Sequence, residues 1–231
     1  MIKKISYLIL SLCLILGSSI GVNAASFTTV YVVDSISTEY DSISYDYNSN
    51  GFVSSIKLGI DDSIGLGTES TFKYNKSGNL KSVIHTEYGG FVGTQTYIYN
   101  YKYKNNKLNK IISSYQILNS EPEMQSLGVK FYKDGRIKSI GDTKFNYNSS
   151  NQILPCWGND KVYYNEQGDL YSEGISLVYD SNRLIEKTYE NTSIKLHYKQ
   201  VKIKKNFVTK VKNQQWCVIN NIFDNAYYYQ Y

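Results

Sequence analysis

The chain is 231 residues long, 42% hydrophobic and 19% charged, with a formal net charge of +5. Setting aside Lys3 and Lys4 leaves 23 basic against 20 acidic residues, too even a balance for a nucleic-acid-binding surface. No later segment has the roughly 20 consecutive apolar residues that a membrane-spanning helix needs.

The first 25 residues read as a secretory signal peptide. Lys3 and Lys4 give a basic start, Ile5 to Leu16 an apolar run, and Val22-Asn23-Ala24 a small-residue cleavage site. Cleavage is expected after Ala24 or Ala25. Residues 26–231 are expected to form a single all-β repeat domain, secreted or held at the cell surface. Cys13 leaves with the leader, so Cys156 and Cys217 remain, and export permits a disulfide between them.

A recurring turn then organises the chain. Tyr45-Asp46-Tyr47-Asn48-Ser49-Asn50-Gly51, Phe72-Lys73-Tyr74-Asn75-Lys76-Ser77-Gly78 and Tyr163-Tyr164-Asn165-Glu166-Gln167-Gly168 are variants of one theme. Phe131-Tyr132-Lys133-Asp134-Gly135 and Val178-Tyr179-Asp180 repeat it more loosely. A fixed theme at short intervals predicts a repeat architecture. Gly51, Gly78, Gly135 and Gly168 fall where the backbone must turn through positive φ, and Asn or Asp beside them bonds its own backbone.

Between the turns, period-two alternation predicts strands. In Gln95 to Lys104 the four tyrosines Tyr97, Tyr99, Tyr101 and Tyr103 share one face. After many of the turns two apolar residues lie three apart: Val53 and Ile56, Leu80 and Val83, Leu108 and Ile111, Ile137 and Ile140. An odd spacing points to opposite faces of a straight strand, so either a bulge follows the turn or both faces are partly covered. The sum is an up-and-down antiparallel meander of roughly sixteen strands, as an extended or curved sheet rather than a closed barrel. Lys202, Lys204, Lys205, Lys210 and Lys212 crowd one stretch, read as a solvated edge strand or, more sharply, as a patch for an anionic polymer.

The pattern Tyr-x-Tyr-Asp/Asn-x-x-Gly-x-Leu-x-x-Ile, clearest at Tyr132 to Ile137 and Tyr179 to Leu184, resembles the YD repeat, also called the RHS repeat, of secreted bacterial proteins. The resemblance spans about residues 40–200. It implies an antiparallel strand array, a bacterial cell-surface setting and often carbohydrate binding. Large members wrap a toxin in a shell. This chain lacks an Asp-Pro-x-Gly segment, since Pro122 follows Glu121 and Pro155 follows Leu154, so autoproteolysis and a toxin cargo are not implied.

No catalytic, metal or cofactor signature emerges. His85 and His197 have no nucleophile or carboxylate arranged around them in a recognisable motif, and the pairs Asp61-Asp62 and Glu121-x-Glu123 occupy turns. Tyrosine, with 24 copies, is the one ligand-binding chemistry in sight. A phenol offers an apolar face to a sugar ring and a hydroxyl to its edge, and Tyr97, Tyr99, Tyr101 and Tyr103 are the candidate platform. The expected function is non-enzymatic binding or adhesion at the cell surface, with glycans as partners. The alternatives are an outer-membrane β-barrel, suggested by the alternating Tyr227, Tyr229 and Tyr231, and a hydrolase with an unrecognised site.

Overall fold

The computed structural model describes residues 26–61, 66–89, 93–105, 107–117, 120–147, 153–154, 162–172, 174–189 and 192–220. The leader and Cys156 lie outside them, and the Cys217 side chain is likewise not described, so the expected disulfide falls outside as well.

The described residues form seventeen strands and one α-helix. The strands are β1 Phe27–Ser37, β2 Ser42–Tyr47, β3 Val53–Asp61, β4 Leu66–Tyr74, β5 Leu80–Tyr88, β6 Gln95–Lys104, β7 Lys107–Ile117, β8 Glu123–Phe131, β9 Ile137–Ile140 and β10 Thr143–Lys144. They continue as β11 Asn146–Tyr147, β12 Ile153–Leu154, β13 Val162–Tyr164, β14 Leu170–Ser172, β15 Ile175–Asp180, β16 Arg183–Tyr189 and β17 Thr192–Lys204. A 3-10 turn at Lys205–Phe207 leads into α1, Val208–Asn220.

Thirteen strands make one open antiparallel sheet in the order β10-β9-β8-β7-β6-β5-β4-β3-β2-β1-β17-β16-β15, while β11–β12 and β13–β14 are separate two-stranded ribbons. The meander holds from β1 to β10. The late strands then return to pair beyond β1, which puts β17 between β1 and β16. Lys202 and Lys204 therefore sit on an interior strand rather than an edge, and Lys210 and Lys212 sit on α1. The helix itself departs from the expected all-strand chain. Among the described residues no helix is long and apolar enough to cross a membrane.

The turns share one hydrogen-bond pattern. The Asn48 side chain accepts from the N–H groups of Asn50 and Phe52, and Asn75 does the same for Ser77 and Asn79. Gly51 and Gly78 follow at φ 80° and 74°, the left-handed region that glycine enters without a Cβ clash. Gly78 is also held by packing: a Cβ there would lie 2.7 Å from Cζ of Phe52.

A bulge settles the odd apolar spacing. Tyr47 pairs with Val53 while Asp46 pairs with Ser55, and the same one-residue slip recurs at Tyr74–Leu80, Tyr103–Leu108, Phe131–Ile137 and Tyr179–Leu184. The extra residue turns Leu80 and Val83, Leu108 and Ile111, and Ile137 and Ile140 to the same face, where all are buried in one core cluster. Burial of both Val32 and Val33 shows that β1 is covered on its two faces. Val32 joins a second cluster with Phe52, Ile203, Phe207 and Val211.

Repeats are stitched by tyrosine hydroxyls. Tyr74 donates to the carbonyl of Val53 at 2.7 Å, Tyr103 to Leu80 at 2.9 Å, Tyr147 to Ile137 at 2.9 Å and Tyr198 to Leu184 at 2.6 Å. In each case the acceptor is the residue at the register slip that follows an earlier turn. The helix docks on this ladder. Gln215 Oε1 accepts from Val33 N–H and its Nε2 donates to Tyr47, whose hydroxyl donates to the Val33 carbonyl. Gln214 repeats that closed ring with Val53 and Tyr74.

Candidate binding site

The strand β6 places its four tyrosines on the inner face, as the alternation requires. Their fates differ along it. Tyr99 and Tyr101 are buried in the main cluster and present no ring face to solvent. Burial pushes the Tyr99 phenol up to about 12, with Glu87 adding to the shift. Tyr103 is committed to the Leu80 carbonyl, and burial raises its pKa too. These three rings build the core. Tyr97, nearer the strand's start, is only half-buried.

Tyr97 has company that the linear sequence does not show. On β7, Tyr115 lies directly opposite. The two rings stack at 4.7 Å between centroids with 25° between planes, within the offset-stacked range that aromatic quadrupoles favour. Both hydroxyls donate to Oε1 of Gln95, at 3.1 Å from Tyr97 and 2.8 Å from Tyr115. On β5, His85 lies opposite Tyr97 and Glu87 opposite Gln95. Burial raises the Tyr97 pKa, and the Glu87 charge raises it further, so this phenol stays a neutral donor at physiological pH.

Towards the sheet's middle the row continues through a buried polar chain. Ser70 Oγ lies 2.8 Å from Nδ1 of His85, and Nε2 of His85 lies 3.5 Å from Oε1 of Glu87. The order hydroxyl–imidazole–carboxylate is that of an acyl-transfer triad. Ser70, however, sits in mid-strand, paired with Ile56 on one side and His85 on the other. Ladder pairing engages the N–H groups that an oxyanion hole would require. The chain Ser70–His85–Glu87 thus lies beside the tyrosine pair, with the His85 ring 5.9 Å from that of Tyr97. Among the described residues no three His, Cys, Asp or Glu side chains gather in a metal-binding group.

The four repeat glycines lie at their turns with φ between 74° and 90°. Compared with known proteins, the chain matches no family model and no curated sequence. Of the site, the sequence indicated Tyr97 alone. Tyr115, Gln95, His85 and Glu87 join it through strand register, for which the only sequence signal was that each shares its strand's inward parity.

Proposed function

We propose that this chain is an exported, non-enzymatic β-repeat protein of the YD type that binds neutral saccharides at the bacterial cell surface. The carrying observation is the Tyr97–Tyr115 stack with both hydroxyls converging on Gln95. An apolar ring surface suits the C–H face of a pyranose, and the adjoining amide, carboxylate and phenols suit its hydroxyls. The leader read from residues 1–25 supports export. The open sheet supports surface display over enclosure.

A glycan array followed by titration tests the reading. Tyr97→Ala and Tyr115→Ala are each expected to weaken binding of the best neutral glycan at least tenfold while urea unfolding stays cooperative. Silence of the wild-type protein across the array, or full binding by the double variant, would sink the proposal.

The Ser70–His85–Glu87 chain favours a second reading, a hydrolase. A serine-reactive fluorophosphonate separates the two: a binding protein stays unlabelled, whereas labelling that disappears in Ser70→Ala establishes a nucleophile.

A further inference from the structure

A second groove opens at the end of the sheet where the Asn-Gly turns lie, away from Tyr97. It runs between the start of β1, the β15–β16 turn and the first turns of α1, open to solvent, with a volume of about 910 Å³. Three cations line it, each from a different element: Arg183 from β16, Lys205 from the 3-10 turn and Lys212 from α1. No carboxylate is among the described residues that line it. Of the five lysines crowded in the sequence, Lys210 is spent on the turn carbonyl of Ser77 and on Asn79, and Lys202 lies over the Phe27 ring. Lys205 and Lys212 are exposed and reach the groove.

Arg183 is pre-positioned. Its guanidinium lies 4.2 Å from the Tyr31 ring centroid and bonds Asp180 at 3.2 Å. The Arg183 side chain is 29% exposed, which leaves guanidinium N–H groups open to an acceptor in the groove. Tyr31, 49% exposed, lines the same groove, and Gln200 fixes its hydroxyl at 2.6 Å. Thr29 and Asn182 add uncharged hydrogen-bonding groups to the wall.

We infer that this groove binds an acidic oligosaccharide, its carboxylate, sulfate or phosphate groups meeting Arg183, Lys205 and Lys212 and one sugar ring resting on Tyr31. The volume falls at the upper end of the 300–1,000 Å³ typical of ligand sites, which suits several linked sugars better than a lone anion. A single-stranded nucleic acid is disfavoured because such sites stack successive bases on several aromatics, and among the described residues lining the groove Tyr31 is the one aromatic. The inference stands apart from the Tyr97–Tyr115 reading, with separate residues and an acidic rather than a neutral ligand.

Calorimetric titration of the full chain with an oligogalacturonate, a heparin-derived oligosaccharide, neutral maltohexaose and oligothymidylate tests it. At least one acidic sugar is expected to bind tenfold or more tightly than maltohexaose at this groove, weakening as salt rises. Lys205→Ala with Lys212→Ala alters two exposed side chains and should cost tenfold or more. Arg183→Gln should cost at least as much. Tyr97→Ala should leave acidic-sugar affinity unchanged, so failure here and failure of the neutral-glycan reading are distinguishable. Binding of neither acidic sugar, undiminished binding by the double lysine variant, or tighter binding of oligothymidylate would each overturn the inference.

Discussion

Tyr74 and Tyr103 hold equivalent places in successive repeats, yet their hydroxyls join different numbers of partners. Tyr103 donates to the Leu80 carbonyl. Tyr74 donates to Val53 and accepts from Gln214, whose own oxygen holds the Val53 N–H. Removing a hydroxyl with one buried partner costs about 1 kcal/mol, and leaving further buried groups unpaired adds about 1–3 kcal/mol. Tyr103→Phe is therefore expected to lower stability by about 1 kcal/mol and Tyr74→Phe by about 2–3 kcal/mol, measured by urea unfolding at neutral pH. Equal losses would mean that the Gln214 ring contributes nothing. The residue types of this scale were legible in the sequence. A tyrosine before each turn and a glycine at its end recur because each turn poses the same backbone demand. What the tyrosine hydroxyl does was not legible, since its acceptor lies 10 to 23 positions away.

At the scale of elements, α1 is the part that the sequence hid. Its buried face is Val211, Gln214, Gln215 and Val218, helically spaced but half amide, so no apolar stripe announces it. No acidic residue marks its first turn either. The two consecutive glutamines dock instead by hydrogen bonds, each closing a ring on one tyrosine and both backbone groups of one strand residue. Val33 lies past the end of the β1–β2 pairing, which stops at Ser35, and its N–H takes the Gln215 oxygen as partner. Replacing Gln214 and Gln215 together by Ala is expected to undock the helix. Hydrogen exchange should quicken at the Val33 and Val53 amides and through α1, while amides of β6 and β7 keep their protection. Unchanged exchange at Val33 and Val53 would show that Val211, Val218 and Trp216 suffice to hold the helix. The candidate site was partly hidden for a related reason. Alternation placed Tyr97 on the right face, but the partners Tyr115 and Gln95 depend on register across the β6–β7 hairpin. The bulge after each turn shifts that register by one residue.

For the whole molecule, a repeat that breaks the apolar rule at Lys187 sets the pH response. The bulge leaves Leu184 and Lys187 of β16 both buried, where other repeats bury Leu80 and Val83 or Ile137 and Ile140. Lys187 is 1% exposed, and its ammonium donates to the carbonyl of Ile219 in the last turn of α1 at 2.9 Å. Burial draws its pKa down to about 7, opposed by the Asp169 carboxylate. The unfolded chain holds that proton up to about 10.5. Between pH 7 and 10.5 the unfolded state therefore binds more protons, and stability rises with pH. The tyrosines act in the opposite direction. Burial lifts Tyr45, Tyr47, Tyr74 and Tyr99 above their ordinary value of 10, so above pH 10 the unfolded chain loses protons that the fold retains. Four such groups cost about 5 kcal/mol per pH unit together, comparable with the whole stability of an ordinary domain. Thermal unfolding should accordingly show a melting temperature that climbs from pH 7, peaks just below pH 10 and collapses within about one further unit. Lys187→Met removes the buried charge while keeping the volume. It is expected to raise the melting temperature at pH 6–7 and flatten the climb, with the alkaline collapse left at the same pH. A wild-type melting temperature that is flat or falling from pH 7 to 9.5 would mean that Lys187 stays fully charged in the fold, with Ile219 and Asp169 offsetting its desolvation.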